Sequence, residues 1–142
     1  YGPYDKYDLE RSHVFGATVT KVMTAVDEGS ITVWGTGEEA RDLLYVSDLV
    51  DFADRVLKKQ TAPFELVNLG CGYAVSINEI VKKIIRHARK NVSIKHDTSK
   101  PTIKTSLCVD TAKAKELFGW NSKISLDEGI IKTLDWYQKN IR

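Results

Sequence analysis

The sequence predicts an α/β fold, and three features carry that expectation. Stretches with apolar residues at helical spacing are interleaved with short runs rich in β-branched and aromatic residues. Two capping boxes, Ser76-Ile77-Asn78-Glu79 and Ser125-Leu126-Asp127-Glu128, mark helix starts. Helices and strands also mix without strict βαβα alternation, which favours mixed helices and short strands over a regular doubly wound sheet.

The elements follow in order. Residues 1–11 are polar and aromatic without period and read as a loop. A helix is expected over 13–28, opening at Ser12 or His13, with Phe15, Val19, Val22, Met23 and Val26 on its buried face and Gly29-Ser30 as its stop. A short strand over 31–34, a turn over 35–40 and a second extended run over 41–46 come next. Ser47 is expected to cap a helix over 48–59 with Leu49, Phe52, Ala53, Val56 and Leu57 inward. After Pro63, the run 64–69 reads as a strand that ends at the Gly70-Cys71-Gly72 turn. The first capping box opens a helix over 77–89, followed by a strand over 92–96, a loop over 97–104 and a short extended run to 109. Asp110 is expected to cap a short helix to Leu117 that Gly119 ends, and the second capping box opens a last helix to Asn140, with Leu126, Ile130, Leu134 and the Trp136-Tyr137 pair on or near its buried side.

The 142 residues suffice for one domain with a real core, and 42% apolar against 28% charged residues is an ordinary globular balance. A net charge of +2 with dispersed lysines gives no footing for nucleic acid. Cys71 and Cys108 match no metal-ligand spacing and are expected to be reduced and mostly buried. No metal site is expected. No apolar run reaches the length of a membrane span and no segment resembles a signal peptide, so a soluble, cytoplasmic protein without a membrane partner is expected. The chain opens on Tyr1-Gly2-Pro3, a turn with no element before it, which reads as a cut or incomplete chain.

Hydride-transfer machinery is missing from this sequence. A dinucleotide site needs a glycine-rich turn between a strand and a helix N-terminus, where backbone N–H groups reach the pyrophosphate. Gly35-Thr36-Gly37 leads into Glu38-Glu39, whose charge repels phosphate. Gly70-Cys71-Gly72 lacks the third glycine and the acidic residue that follows such a turn. No tyrosine has a lysine four residues on.

Several blocks in order, Tyr1-Gly2-Pro3-Tyr4-Asp5, Ser12-His13-Val14, Val33-Trp34-Gly35-Thr36-Gly37 with Arg41-Asp42-Leu43-Leu44-Tyr45-Val46-Ser47-Asp48-Leu49, Asn68-Leu69-Gly70-Cys71-Gly72, Asp110-Thr111-Ala112-Lys113-Ala114-Lys115 and Leu117-Phe118-Gly119-Trp120, resemble the C-terminal part of the extended short-chain dehydrogenase/reductases, the NAD-dependent epimerase/dehydratase family. Each block alone is weak; their order covers essentially the whole chain. Within that family the histidine at the first helix and the Trp-Gly-Thr-Gly block are most similar to the GDP-L-fucose synthases. The resemblance implies that residues 1–142 are one nucleotide-sugar-binding portion, and that the dinucleotide-binding half, with its Ser-Tyr-Lys set and its NADP or NAD, lies outside this chain. It also implies that this chain alone holds no cofactor and is inactive. In the full-length parent it implies epimerisation and reduction of a GDP-4-keto-6-deoxyhexose, with pairing into a homodimer through the other half. Another nucleotide-sugar 4-epimerase or dehydratase, or a non-catalytic binding fragment, are the alternatives.

The same resemblance assigns roles. His13 stands where fucose synthases carry a proton donor or acceptor for epimerisation, and an imidazole titrates in the range such chemistry needs; otherwise it caps or packs at a helix start. Arg41 matches the arginine on the diphosphate, which a planar guanidinium can bridge; the alternative is a surface arginine paired with Glu38, Glu39 or Asp42. Lys21, about two turns beyond His13, is either a second phosphate ligand facing the same cleft or a solvated lysine. Trp34 either packs beside the nucleotide sugar or is buried at a strand end. Asp48 and Ser47 are expected to cap a helix, and Asn68, Gly70 and Gly72 to shape a turn near the ligand. The pattern departs at Thr102, where an aspartate is usual, and at Leu107, where a basic residue is usual, leaving Lys104 as the substitute; Tyr4 and Lys6 also replace a usual histidine and asparagine.

Overall fold

The computed structural model describes residues 1–100, 102, 105–141. Its elements are α1 (Val14–Thr24), β1 (Ser30–Trp34), β2 (Ala40–Arg41), α2 (Val46–Lys59), β3 (Val75–Ser76), α3 (Ile77–Ala88), β4 (Ser93–Asp97), β5 (Ser106–Leu107), α4 (Ala112–Phe118) and α5 (Leu126–Asn140). Strand β1 pairs in parallel with β4, from Ser30 opposite Ser93 to Trp34 opposite Asp97. A second small sheet has the order β3-β2-β5, antiparallel between β2 and β3 and parallel between β2 and β5.

The main core lies where α3 packs against α1 and α5, with the inner face of β1 beneath. Val19 and Val22 of α1, Ile80, Val81 and Ile84 of α3, and Ile130 of α5 are fully enclosed. Side chains alternate along β1, so Ile31 and Val33 point into this core while Trp34 points out. Residue 129 is a glycine against Tyr1: a Cβ there would lie 2.1 Å from the Tyr1 hydroxyl and 2.8 Å from its ring. The serine half of both capping boxes forms as the sequence predicts: Ser76 accepts from the Glu79 N–H and Ser125 from the Glu128 N–H, each at 3.2 Å. A lateral ion cluster ties α3 to α5, with Lys83, Arg86 and His87 converging on the Asp127 carboxylate at 2.6 Å.

A smaller core joins α2 to α4. Phe52 meets Phe118 and Trp120 edge-on, with ring centroids 5.3 and 5.5 Å apart. The buried Asp48 locks the chain beyond: its carboxylate accepts from the Lys123 and Ile124 N–H groups at 2.9 and 3.0 Å, and its carbonyl accepts from the Trp120 indole.

Several expectations are corrected. Helix α1 stops at Thr24, not 28: Ala25 is extended, Glu28 turns left-handed at φ 60°, and its N–H goes to the Asn91 carbonyl, leaving Val26 exposed. Helix α2 starts two residues early on Tyr45, so neither Ser47 nor Asp48 caps it, and the 41–46 run is extended only at Arg41. The phase of α2 turns Phe52 and Val56 inward, whereas Leu49, Ala53 and Leu57 lie exposed. Residues 64–69 form no strand; Phe64 and Leu66 are exposed and no neighbouring strand supplies a ladder among the described residues. Thr111, not Asp110, is the N-cap of α4, although Asp110 accepts from the Ala112 N–H. Both cysteines are free as expected, but only Cys71 is partly buried and Cys108 is exposed.

Candidate functional site

Three of the residues singled out from the sequence line one cleft of about 350 Å³ between α1, β1, β2 and the start of α3: Lys21, Trp34 and Arg41. They come from separate elements, so the fold, not local sequence, brings them together. Lys21 projects from the last turn of α1, and its Nζ donates to the Thr32 carbonyl at 2.8 Å. Partial burial lowers its pKa below the ordinary ammonium value. One donated bond leaves the rest of the ammonium for a ligand.

Arg41 is held by two carbonyls. Its Nη1 donates to Ala40 and Thr105 at 2.8 Å each, which holds the fork and leaves Nε and Nη2 without a hydrogen-bond partner among the described residues. Among the described residues it makes no ion pair with Glu38, Glu39 or Asp42. Asp42 is occupied elsewhere: its Oδ1 accepts from the Cys71 N–H at 2.6 Å and its Oδ2 from the Gly72 N–H at 3.0 Å. Side chains alternate on a strand, so the residue that anchors β2 to the 70–72 turn points away from the one that faces the cleft. Gly70 is part of that anchor, because a Cβ there would lie 2.4 Å from the Asp42 carboxylate.

Trp34 lines the cleft and is 54% exposed, so it is not buried at the strand end. Lys100 sits over its ring at 5.8 Å. Glu10 and Glu39 also line the cleft, so two carboxylates offset its two cations and any preference for anions rests on where the guanidinium and ammonium point.

His13 does not join this group. It is the exposed N-cap of α1 without a side-chain cap bond, and it lines an adjoining hollow of about 770 Å³ walled by Tyr1, Pro3, Phe15, Leu43 and Val50. The expectation that His13 and Lys21 share a cleft is therefore corrected. Eight residues turn a helix about 80° past two full turns, which is enough to part the two side chains. Among the described residues only Val14 lines both hollows. Thr102 belongs to the cleft, whereas Lys104 lies outside the described residues.

Three of the turn glycines sit against other side chains of the chain, whereas Gly72 is open, with the Thr111 hydroxyl 3.8 Å from a Cβ placed there. The room at Gly35 is taken by the Thr102 side chain, at Gly37 by Asn78 and at Gly70 by Asp42 and Val109. These turns are shaped to receive side chains of the same chain. Asn78 went unnoticed in the sequence except as part of a capping box; its Nδ2 donates to the Thr36 carbonyl and its Oδ1 pairs with His96 Nε2, so it fixes the turn between Trp34 and Arg41. The signal for it was the small Gly37 beside a helix start, which a single sequence does not connect. Among the described residues no His, Cys, Asp and Glu group is placed to hold a metal ion, and no helix is long and apolar enough to cross a membrane.

Comparison with known proteins decides the family. The family model for GDP-mannose 4,6 dehydratase matches residues 3–133. The chain belongs to that family. As a GDP-mannose 4,6 dehydratase family member it falls among the NAD-dependent epimerases and dehydratases of the extended short-chain type. It is 33% identical over 139 residues to GDP-L-colitose synthase of Yersinia pseudotuberculosis, covering 96% of this chain and 45% of that protein. It is 34% identical over 143 residues to GDP-L-fucose synthase 1 of Arabidopsis thaliana, covering 99% of this chain and 44% of the relative. The chain thus spans less than half the length of these curated relatives. Among solved structures, a UDP-glucose 4-epimerase with UDP-glucose from Thermotoga maritima superimposes with TM-score 0.80 at 27% identity, over 100% of this chain and 44% of that one. A GDP-L-fucose synthetase from Naegleria fowleri superimposes with TM-score 0.89; at 22% identity, over 99% of this chain and 44% of that one, it speaks for the fold.

Proposed function

We propose that this chain is the C-terminal, substrate-binding portion of an NAD(P)-dependent enzyme that epimerises and reduces a GDP-4-keto-6-deoxyhexose. The observation that supports this reading is the meeting of Lys21, Arg41 and Trp34, from three elements, in one cleft. A fork and an ammonium suit the two phosphates of a diphosphate, and an exposed indole face suits a base or sugar. Relatives named GDP-L-colitose synthase and GDP-L-fucose synthase favour a GDP-linked ligand. The nicotinamide cofactor, NADP or NAD, is held in this reading by a dinucleotide-binding half beyond these residues and supplies the hydride. His13 serves proton transfer at a sugar carbon from the adjoining hollow, Lys104 adds a further cation to the phosphates, and the full-length enzyme is a homodimer.

A second reading, a nucleotide-sugar 4-epimerase or dehydratase in which His13 is incidental, draws on the separation of His13 from the cationic cleft. Two variants of the full-length enzyme test both. Arg41→Ala weakens GDP binding about tenfold to a hundredfold, the scale of one charge-assisted pair; unchanged calorimetric affinity contradicts the diphosphate role. His13→Asn lowers kcat on the 4-keto-6-deoxy sugar about a hundredfold or more while GDP affinity holds. Full turnover in that variant selects the second reading.

A further inference from the structure

Among the described residues the two hollows share a single side chain. Val14 opens α1, is 40% exposed, and is the residue common to the cationic cleft and to the apolar hollow that His13 faces. Its flanks differ in chemistry. On one side stand Lys21, Arg41 and Trp34; on the other stand the imidazole and a wall of Tyr1, Pro3, Phe15, Leu43 and Val50. A sugar nucleotide has the matching sequence of parts: a nucleoside, a doubly anionic linker, then a hexose.

From this juxtaposition we infer that Val14 is a specificity-determining residue: a ligand held by its diphosphate in the cationic cleft crosses Val14 to place its hexose in the His13 hollow, and the bulk at position 14 decides which hexoses pass. The inference rests on the diphosphate reading of the cleft. It adds where the sugar goes and what selects it. Asp5 and Ser47 also line that hollow, so the selection is assigned to the bulk at position 14 and not to an apolar wall.

The side chain is free to play this part. Val14 is no member of either buried core, while its carbonyl is engaged by the Thr18 hydroxyl at 2.6 Å, so the backbone beneath it is fixed. Position 14 can therefore change size without emptying the core. The neighbours in sequence cannot do the same, because Phe15 is buried and a Cβ at Gly16 would strike the Lys6 carbonyl.

Val14→Phe and Val14→Ala in the full-length enzyme test the inference, with GDP and a GDP-4-keto-6-deoxyhexose as probes and a GDP-hexose bearing the 6-hydroxyl as competitor. Val14→Phe is expected to lower the calorimetric affinity for GDP by no more than about threefold, although Val14 also lines the GDP cleft. Its kcat/KM for the deoxy sugar nucleotide is expected to fall about thirtyfold or more, the scale of an obstructed pocket. Val14→Ala is expected to keep GDP affinity as well and to weaken about tenfold the exclusion of the 6-hydroxy competitor, measured as its inhibition constant relative to the deoxy substrate. Loss of GDP affinity and turnover by the same factor in Val14→Phe would make Val14 merely a wall of the cationic cleft and overturn the inference, as would unchanged turnover in Val14→Phe together with unchanged discrimination in Val14→Ala. A wild-type enzyme that binds no GDP would overturn the diphosphate reading itself, and this inference with it.

Discussion

Arg41 does two jobs with one side chain. Its Nη1 closes β2 onto residue 105, while Nε and Nη2 have no hydrogen-bond partner among the described residues. A lysine at 41 could keep the charge but not present a planar fork of donors to two phosphate oxygens. Arg41→Lys is therefore expected to weaken GDP binding about tenfold in the full-length enzyme, measured by calorimetry. Asp48 answers to a different demand. Replacing it with alanine strips the acceptor from two backbone N–H groups and is expected to cost about 2 kcal/mol in urea denaturation. Asp127 titrates with the fold: bonds from His87, then Lys83, hold its carboxyl down at about 2, below the ordinary carboxylate value. A depressed folded pKa means that its stabilisation is fully present above the unfolded value near 4 and is lost as pH falls toward 2. Thermal melts of Asp127→Asn against wild type should differ at neutral pH and converge by about pH 2. Arg41, Lys21 and Trp34 were singled out in the sequence because they match a family's spacing, and they line one cleft. The role of Asp48 was not legible, since its partners lie 75 and 76 residues away.

Elements bounded by their own chemistry were the readable ones. Helices α3 and α5 start where Ser76 and Ser125 reach the N–H three residues on, a local signal that needs no tertiary context. Residues 64–69 fail for the opposite reason. Their composition suits a strand, yet a strand exists only through a neighbour, and Phe64 and Leu66 stay exposed without one. The same holds for α2, whose amphipathic pattern is strong but whose stripe of Leu49, Val50 and Leu57 faces outward. Periodicity reports that a helix has an apolar side and not what covers it. The contrast is measurable: Leu57→Gln should leave the unfolding free energy within about 0.5 kcal/mol, because that side chain is already exposed, whereas Ile80→Ala, from the fully enclosed centre, should cost about 3 kcal/mol.

At the scale of the whole molecule, two small sheets and three packed helices place a cationic cleft and an imidazole-bearing hollow side by side. The α/β class and the family were legible; the division of the site into two hollows was not, because it depends on about 80° of helix rotation between His13 and Lys21. With less than half the length of its relatives, the chain supplies the substrate side of the proposed enzyme. The most direct measurement is a crystal structure of the full-length enzyme with GDP bound. The diphosphate oxygens should lie about 3 Å from the Arg41 guanidinium and the Lys21 ammonium, with Trp34 flanking the ligand. A diphosphate seated in the His13 hollow, or anywhere out of reach of Arg41, would contradict the assignment of the cleft.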